Sequence, residues 1–463
     1  MTAARGGVRL LVFLLPYLNL LAATASSPPG PGPFGNARLP QPVPGAARAT
    51  TTNGWKKGKV CDVTMPPYSA ANGSNATLAL RAAIRDCGDL ASGGTVLVPA
   101  GIVLYSASLW LRSNLTLRVE AGAALVSTAT GSGRARASTE DAPIVYTRRG
   151  DTMVWAHAGF LNGALCTKLK SPLVGWDDCA EWSVLSNVVI EGGGMLDADG
   201  DAWWSDESMK SVGNARPMML DLLWIDGLTI RDMQIRRPGY WTVHPTFSNN
   251  VRITGNSIIT KGHNTDGCDP DSSWNVYIEG NTFSTGDDCI AIKAGKDWSG
   301  RKVNISTQNV LVERNIFKLG HGVSIGSETS GWVRNITIRD SVLDGTNLAV
   351  RIKSMRGRGG GVEDVLYENL SGSTVSGIQL TLKYKKGTPP TNVTATPTFR
   401  RITVRNVTIR VDESALDCEG LDDSNIEGVV FEGVTMTGKG AKSQECNKCE
   451  IVFDHGTSPK PKC

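Results

Sequence analysis

A short strand-like segment recurs along the chain from about residue 185 onward. Each copy begins with a polar or small residue, continues with alternating apolar positions and ends in a turn. The copies start at Asn187, Gly227, Asn250, Asn275, Asn309, Asn335, Asp364, Arg401 and Gly428. From Gly227 the starts are 23, 25, 34, 26, 29, 37 and 27 residues apart. A unit of about two dozen residues with loop insertions is typical of a solenoid, and short β-branched segments without helical periodicity predict a parallel β-helix.

The predicted fold class is therefore all-β, with one domain built as a right-handed parallel β-helix. A β-sandwich is the alternative, but it explains only the strand content and not the recurring start. One segment, Asn75 to Cys87, is helix-like, with Ala76, Leu80 and Ile84 among the apolar residues of a single helical face. We expect this helix to cap the N-terminal end of the solenoid, where an open sheet edge would favour aggregation.

The N-terminus has the features of a secretory signal peptide, which we assign to residues 1–25. Arg5 and Arg9 precede an apolar run over residues 10–21 and a small-residue stretch over residues 22–25. A signal anchor is the weaker alternative, because Pro16 and Asn19 interrupt the run. We assign residues 26–55 to a Pro/Gly-rich disordered leader, 56–440 to the catalytic β-helix and 441–463 to a Cys-containing tail. No later segment is apolar enough to span a bilayer, so we predict a secreted protein without a stable membrane anchor.

Cysteine usage and sequons agree with secretion. The ten cysteines favour disulfides in an oxidising compartment, and eight Asn-x-Ser/Thr sequons predict a glycoprotein. The plausible local pairs are Cys61 with Cys87, Cys166 with Cys179, and pairs within a C-terminal set. That set comprises Cys418, Cys446, Cys449 and Cys463. The Cys446-x-x-Cys449 spacing also fits zinc, but a second ligand pair is lacking, so we favour disulfides.

Cys268 and Cys289 raise a separate question because they are 21 residues apart, about one coil of a β-helix. Stacked on adjacent coils, they could form a disulfide or a pair of buried free thiols. We favour the free thiols.

Three carboxylates follow the same spacing. Asp266 and Asp287 are 21 residues apart, and Asp288 follows directly. The four positions with matching phase, counted from the start of each coil, are Asp266 and Arg351 at offset 16 and Asp287 and His321 at offset 12. We therefore expect polar groups from four coils on neighbouring strips of one face, with a bend at Gly286 bringing both adjacent aspartates toward one ligand.

Charge composition adds a limit to this hypothesis. The 48 basic and 44 acidic residues nearly balance, which argues against a nucleic-acid partner. A preference for an anion must therefore come from a local group. Arg351 and Lys353 are two residues apart and share a strand face, so both can contact one substrate carboxylate.

Four short motifs occur in this order along the chain. They are Asn264-Thr265-Asp266, Gly286-Asp287-Asp288, Gly320-His321-Gly322 and Arg351-Ile352-Lys353. In these motifs the chain resembles the polygalacturonase (pectinase) family of glycoside hydrolases, over roughly residues 60 to 440. The longer stretches around Asp266 and Asp287 look most like the plant and bacterial-type branch, whose members are often exo-acting. The resemblance implies a pectin lyase-like solenoid.

The resemblance also implies a reaction, the inverting hydrolysis of α-1,4-galacturonosyl linkages in pectin. Asp287 would be the general acid, and Asp266 and Asp288 would orient and deprotonate water. His321 would tune the protonation of the acid, while Arg351 and Lys353 would bind the galacturonate carboxylate. Asn264 and His244 are further expected substrate-binding residues.

No cofactor or metal is expected from this assignment. The expected partner is an acidic polysaccharide, homogalacturonan or pectin. We expect the protein to be a monomer that acts in the extracellular space or cell wall. Two alternatives remain: a pectate lyase-like enzyme whose carboxylates hold Ca²⁺, and a catalytically silent polysaccharide-binding β-helix.

Overall fold

A computed structural model describes residues 58–129, 140–149, 152–170, 179–204, 216–384, 394–454 and 456–460. In these residues the chain winds as a right-handed parallel β-helix, which confirms the predicted fold class. The β-sandwich alternative is wrong, because successive coils pair in parallel register and, among the strands of the described residues, only two short hairpins pair antiparallel. The predicted signal peptide and leader lie outside the described residues. Among the described helices, none is long and apolar enough to cross a membrane.

Three sheets run along the solenoid, and each coil contributes to them in turn. The site sheet contains Leu109–Trp110, Leu161–Asn162, Leu220–Leu223, Val243–Thr246, Ile290–Ile292, Val323–Gly326 and Gln444–Asn447. The second sheet contains Lys59–Asp62, Gly94–Val98, Leu115–Val119, Leu185–Glu191, Ile225–Arg231, Asn249–Thr254, Trp274–Glu279, Thr307–Glu313, Thr398–Arg405, Ile426–Glu432 and Cys449–Phe453. The third sheet contains Val103–Ser106, Ala124–Ser127, Met195–Asp197, Gln234–Arg236, Ser257–Ile259, Thr282–Ser284, Ile316–Phe317 and Thr435–Thr437. Three long strands pass from one sheet to another, namely Val333–Lys353, Gly361–Thr381 and Thr408–Glu419.

The recurring Asn of the sequence marks the turn that enters the second sheet. Asn275, Asn309 and Asn335 have φ angles of 55°, 57° and 53°, in the left-handed region that Asn tolerates better than most residues. Their side chains also form a ladder, with Asn309 Nδ2 donating to Asn275 Oδ1 at 3.1 Å and Asn335 Nδ2 to Asn309 Oδ1 at 2.8 Å. Backbone conformation and amide stacking together explain why Asn recurs at this position in several coils.

Inward side chains of successive coils stack to form the core. Val251, Val276 and Val310 lie in register, and none is more than 2% exposed. Phe283 and Phe317 stack at 5.6 Å between ring centroids. Burial of each such side chain stabilises the fold by about 1.5–3 kcal/mol, so every coil depends on its neighbours for stability.

The predicted capping helix is present as α1, Thr77–Cys87, with Leu80, Ala83, Ile84 and Cys87 buried. It contacts the first strands of the solenoid. A second helix, α2, covers Asp297–Val303, and 3₁₀ turns cover Gly200–Trp204 and Lys439–Lys442.

The solenoid extends beyond the predicted boundary at residue 440. Gln444–Asn447 and Cys449–Phe453 pair in parallel with the preceding coil. The segment assigned to a tail therefore begins inside the β-helix.

The described cysteines agree with the predicted chemistry. Disulfides join Cys61 to Cys87, Cys166 to Cys179 and Cys418 to Cys449. Because Cys449 is bonded to Cys418 and Cys446 is also disulfide-bonded, the zinc alternative is wrong. Cys268 and Cys289 are buried free thiols, as we favoured.

A hairpin, Ile144–Arg149 paired with Thr152–His157, projects from the solenoid. Its side chains lie over the outer face of the site sheet. Thr147 Oγ1 donates to Asp221 Oδ2 at 2.5 Å, and Arg148 Nε lies 2.7 Å from Asp271 Oδ2. Both carboxylates are at most 3% exposed, so the hairpin fills this part of the sheet surface.

Candidate active site

Four successive coils bring the predicted polar residues to one place on the site sheet. The register of the sheet aligns Cys268 with Ile290 and Ile290 with Val323. Ser324 in turn pairs with Arg351. The predicted residues lie just before these paired positions, as the coil phase predicted. Asp266 precedes Cys268, Asp287 and Asp288 precede Ile290, and His321 precedes Val323.

Asp288 is the most heavily paired carboxylate of the site. Its Oδ2 accepts from Lys353 Nζ at 2.6 Å, and its Oδ1 accepts from Arg351 Nη1 at 3.0 Å and from Ser324 Oγ at 2.7 Å. Burial raises the pKa of Asp288, but the charge of Lys353, the hydrogen bond from His321 and the charge of Arg351 lower it well below its usual range. Asp288 is therefore ionised at neutral pH.

Asp287 and His321 form the next pair. His321 Nδ1 lies 3.1 Å from Asp287 Oδ1 and 3.3 Å from Asp288 Oδ1. The hydrogen bond to Asp287, followed by that to Asp288, raises the pKa of His321 to about 9. Burial raises the pKa of Asp287, but its hydrogen bond with His321 is among the effects that leave it below its ordinary value. In the empty site, the proton of this pair lies on His321.

Asp266 has the opposite electrostatic environment. Its side chain is 3% exposed, and its Oδ1 accepts no hydrogen bond within the described part of the chain. Burial and then repulsion from Asp287 raise its pKa well above the usual range, although Lys293 opposes this shift. The site thus combines Asp266, whose pKa is raised, and a protonated His321 with two aspartates whose pKa values are lowered.

The expected bend at Gly286 is present, because residues 285–289 separate the strands Thr282–Ser284 and Ile290–Ile292. A Cβ at Gly286 would lie 2.1 Å from the Gly262 carbonyl oxygen. The glycine is therefore required by the close approach of the two loops that carry the aspartates.

Of the two further predicted binding residues, Asn264 lies in the site and His244 does not contact its open surface. Asn264 Nδ2 lies 3.4 Å from Asp287 Oδ2. His244 is 0% exposed, with ring nitrogens 3.6 Å from Asp221 Oδ1 and 3.8 Å from Asp271 Oδ2. The prediction that His244 binds substrate is wrong in this structure, because the hairpin covers that part of the sheet.

Three residues near the site were missed in the sequence. Ser324 hydrogen-bonds Asp288, and its place two residues after Gly322 was the available signal. Lys293 is 4% exposed, lies 4.4 Å above the Trp241 ring centroid and pairs with Glu328 at 3.0 Å. The third, Arg216, lies far from every motif in the sequence, and no pattern of residues there pointed to it.

Asp287, Asp288 and His321 offer ligand atoms within 4.8 Å of one another. Ca²⁺ prefers an oxygen-only ligand set, whereas this group includes an imidazole. Both Asp288 oxygens are also paired with cationic side chains. A divalent cation would have to displace Lys353 and Arg351, so the donor set does not fit the calcium-dependent alternative.

We expect the imidazole of His321 to titrate near pH 9 in NMR spectra of the substrate-free protein. The Asp287→Asn substitution removes the carboxylate nearest the ring, so the His321 pKa should fall toward 6.5. The raised pKa contributes stability below about pH 6.5, and this contribution is lost as pH rises through about 9. Asp364→Asn, on the second sheet, is the matched control and should leave the titration unchanged. A wild-type midpoint near 6.5 would contradict the pairing.

Comparison with known proteins agrees with this geometry. The model for glycosyl hydrolases family 28 matches residues 169–457. An endo-polygalacturonase from Pectobacterium carotovorum subsp. carotovorum is 30% identical over 318 residues, which cover 65% of this chain and 70% of that protein. A probable polygalacturonase from Vitis vinifera is 31% identical over 196 residues, or 41% of this chain. That match spans only 40% of the Vitis protein.

Two solved structures are similar in fold. A hyperthermoactive exopolygalacturonase from Thermotoga maritima has a TM-score of 0.68 at 23% identity, covering 82% of this chain and 87% of that one. A family 28 exopolygalacturonase from Yersinia enterocolitica has a TM-score of 0.70 at 21% identity, covering 88% and 77%.

Proposed function

The chain belongs to glycosyl hydrolase family 28, and we propose that it hydrolyses α-1,4-galacturonosyl linkages of homogalacturonan with inversion of configuration. The observation that carries this proposal is the group of three aspartates beside His321, Arg351 and Lys353. Glycoside hydrolysis requires a proton donor for the leaving oxygen and a carboxylate that activates water. The two cations suit a sugar that carries a carboxylate.

In this proposal Asp287 donates a proton to the glycosidic oxygen as the bond to the anomeric carbon breaks. Water attacks from the opposite face, oriented by Asp266 and Asp288, and its proton passes to an ionised carboxylate of this pair. Asn264, Arg351 and Lys353 bind the sugar.

Substrate binding supplies a reason for Asp287 to take up a proton. The pKa of His321 is raised to about 9 and that of Asp287 is lowered, so without substrate the proton lies on His321, whose Nδ1 is 3.1 Å from Asp287 Oδ1. A galacturonate carboxylate placed near Arg351 and Lys353 adds negative charge beside Asp287, which raises its pKa. The proton then moves from His321 to Asp287, so Asp287 is protonated and can act as the acid when the substrate is present.

We further propose that the enzyme trims chain ends. On the coils before Asp266, the outward-facing Asp221 and His244 are buried, and Thr147 of the hairpin contacts Asp221. On the coils after Lys353, the corresponding Gln379 and Asp417 are partly exposed. The sheet surface is therefore open to the polymer on one side of the carboxylates and covered on the other. Such a surface favours recognition of a chain terminus.

The test is incubation with polygalacturonate while reducing ends, ultraviolet absorbance and viscosity are followed together. We expect reducing ends without the absorbance of unsaturated products, and a slow fall in viscosity. Absorbance would show a lyase and overturn the hydrolytic proposal. A rapid fall in viscosity would overturn end trimming alone, whereas polymer binding without any product would support a silent binding protein.

The proposed setting is extracellular. The signal-peptide pattern in residues 1–25 supports secretion, and an acidic cell-wall polymer is found outside cells. We propose a monomer, because all the site residues come from one chain.

A further inference from the structure

Arg216 is a buried cation next to the catalytic loop, and no motif of the sequence includes it. Arg216 is only 4% exposed. The guanidinium lies 4.7 Å from the centroid of the Tyr240 ring, which packs on Trp241. A guanidinium stays charged in proteins, so the site contains a fixed positive charge at this position.

The guanidinium holds the loop that carries Asn264 and Asp266. Nη1 donates to the His263 carbonyl oxygen at 2.6 Å and to the Gly239 carbonyl oxygen at 3.2 Å. Nη2 donates to Asn264 Oδ1 at 2.9 Å. Asn264 itself has a φ of 56°, in the sparsely populated left-handed region. Arg216 therefore contacts the loop at His263 and at Asn264, the residue with the left-handed backbone.

These contacts also decide which way the Asn264 amide points. A guanidinium only donates hydrogen bonds, so Asn264 must present its oxygen to Arg216. The amide nitrogen is then directed to Asp287, where it lies 3.4 Å from Oδ2. A flipped amide would place two donors against each other and an oxygen against a carboxylate.

The charge of Arg216 acts on the same carboxylates. Burial lowers the pKa of Arg216, while Tyr240, Asp266 and Asp287 oppose that effect. By reciprocity, the guanidinium favours the ionised forms of Asp266 and Asp287.

We infer that Arg216 is a positioning residue for hydrolysis: it fixes the loop of Asp266 and directs the Asn264 amide to Asp287. This inference rests on the proposed function for its kinetic test. Misplacement of a catalytic group by about 1 Å can cost about 100-fold in rate, so a clamp of this kind has a measurable effect.

Two substitutions separate position from charge. Arg216→Gln removes both the hydrogen bonds that position the loop and the positive charge. We expect kcat on polygalacturonate to fall about 10- to 100-fold, with KM changed much less. The acidic limb of its pH–rate profile should move to higher pH, because loss of the cation raises the pKa of the nearby carboxylates. Arg216→Lys retains the charge, so the limb should stay in place while kcat still falls.

The matched control is Arg301→Gln. Arg301 Nη1 donates to two backbone carbonyls, those of Gly357 and Arg358, and makes no hydrogen bond to the catalytic side chains. The control should lose stability without a shift in the pH profile. If Arg216→Gln behaves like the control, with unchanged kcat for the folded fraction, the positioning role is wrong.

A crystal structure of the Arg216→Lys protein tests the same inference without activity. We expect the Asn264 amide to leave Asp287 and the loop over residues 262–266 to shift. An unmoved amide would overturn the inference even if kcat has fallen. Failure of the wild-type protein to release reducing ends would instead overturn the proposed function and leave this structural result to decide the role of Arg216.

Discussion

The Asp287→Asn protein should fold normally and lose nearly all turnover on polygalacturonate. Asn has nearly the same shape as Asp, and its amide oxygen can still accept from one of the two donors that face the carboxylate, Asn264 Nδ2 at 3.4 Å or His321 Nδ1 at 3.1 Å. It cannot deliver a proton to the leaving oxygen. General acid catalysis typically contributes about 10²–10⁴-fold, so we expect kcat to fall by that range.

A substrate with a different leaving group makes this test specific. Departure of p-nitrophenol from an aryl galacturonide needs little protonation, so the Asp287→Asn protein should lose far less activity on it than on the polymer. Asp364→Asn is the matched control, because it changes an Asp paired with Arg401 on the second sheet. Near-normal turnover on the polymer would remove Asp287 from the acid role. An equal loss on both substrates would indicate a binding defect.

The second large effect concerns Lys353. Lys353→Met leaves Asp288 Oδ2 without its 2.6 Å partner in a position where both side chains are at most 5% exposed. Breaking a buried ion pair from one side typically costs about 3–5 kcal/mol. Arg351 and Ser324 still contact Oδ1, so we expect a loss near the lower end, about 3 kcal/mol, in the free energy of unfolding measured with urea.

A double substitution separates stability from binding. Asp288→Asn combined with Lys353→Met removes both charges, so it should be more stable than Lys353→Met alone yet remain inactive. For Lys353→Met we expect kcat/KM to fall about 10- to 100-fold, through loss of a charge-assisted contact with the substrate carboxylate. Lys383→Met is the stability control, because its pair with Glu419 is 37% exposed on both sides and should cost at most about 1 kcal/mol. A double variant less stable than Lys353→Met would contradict the buried-charge explanation.

The ionisation of Asp288 also gives a pH dependence of stability. Its pKa in the folded protein is depressed, so its contribution is present above the ordinary carboxyl pKa and is lost as pH falls through the folded value. Asp266 has the opposite sign, because its raised pKa favours the folded state only where the carboxyl group is protonated.

The coil architecture could be predicted from the sequence because its cause is local. Each coil requires a left-handed turn residue and alternating inward apolar positions, and both requirements appear directly in the residues around Asn275 and Asn309. The shared phase of Asp287 and His321 followed from the same repeat. Their contact at 3.1 Å is a consequence of stacking coils in register.

His244 was misjudged because its exposure depends on another part of the chain. It occupies an outward position of the site sheet, in register with Asp221, as a binding residue would. The hairpin that buries it comes from residues 144–157, which show no coil periodicity. The hairpin side chains, Thr147 and Arg148, contact Asp221 and Asp271, which are remote from them in the sequence.

The sequence by itself determined the winding of the chain and the identity of the four motifs, since periodicity and residue type are properties of neighbouring positions. Only the tertiary structure decided which groups carry protons, which part of the sheet is open and which residue clamps Asn264. Those properties depend on burial and on the distances between charges that are remote in sequence. Asp266 and Asp288 are the same residue type one coil apart, yet burial raises the pKa of Asp266 well above its usual range, whereas contacts with Lys353 and Arg351 hold the pKa of Asp288 well below it.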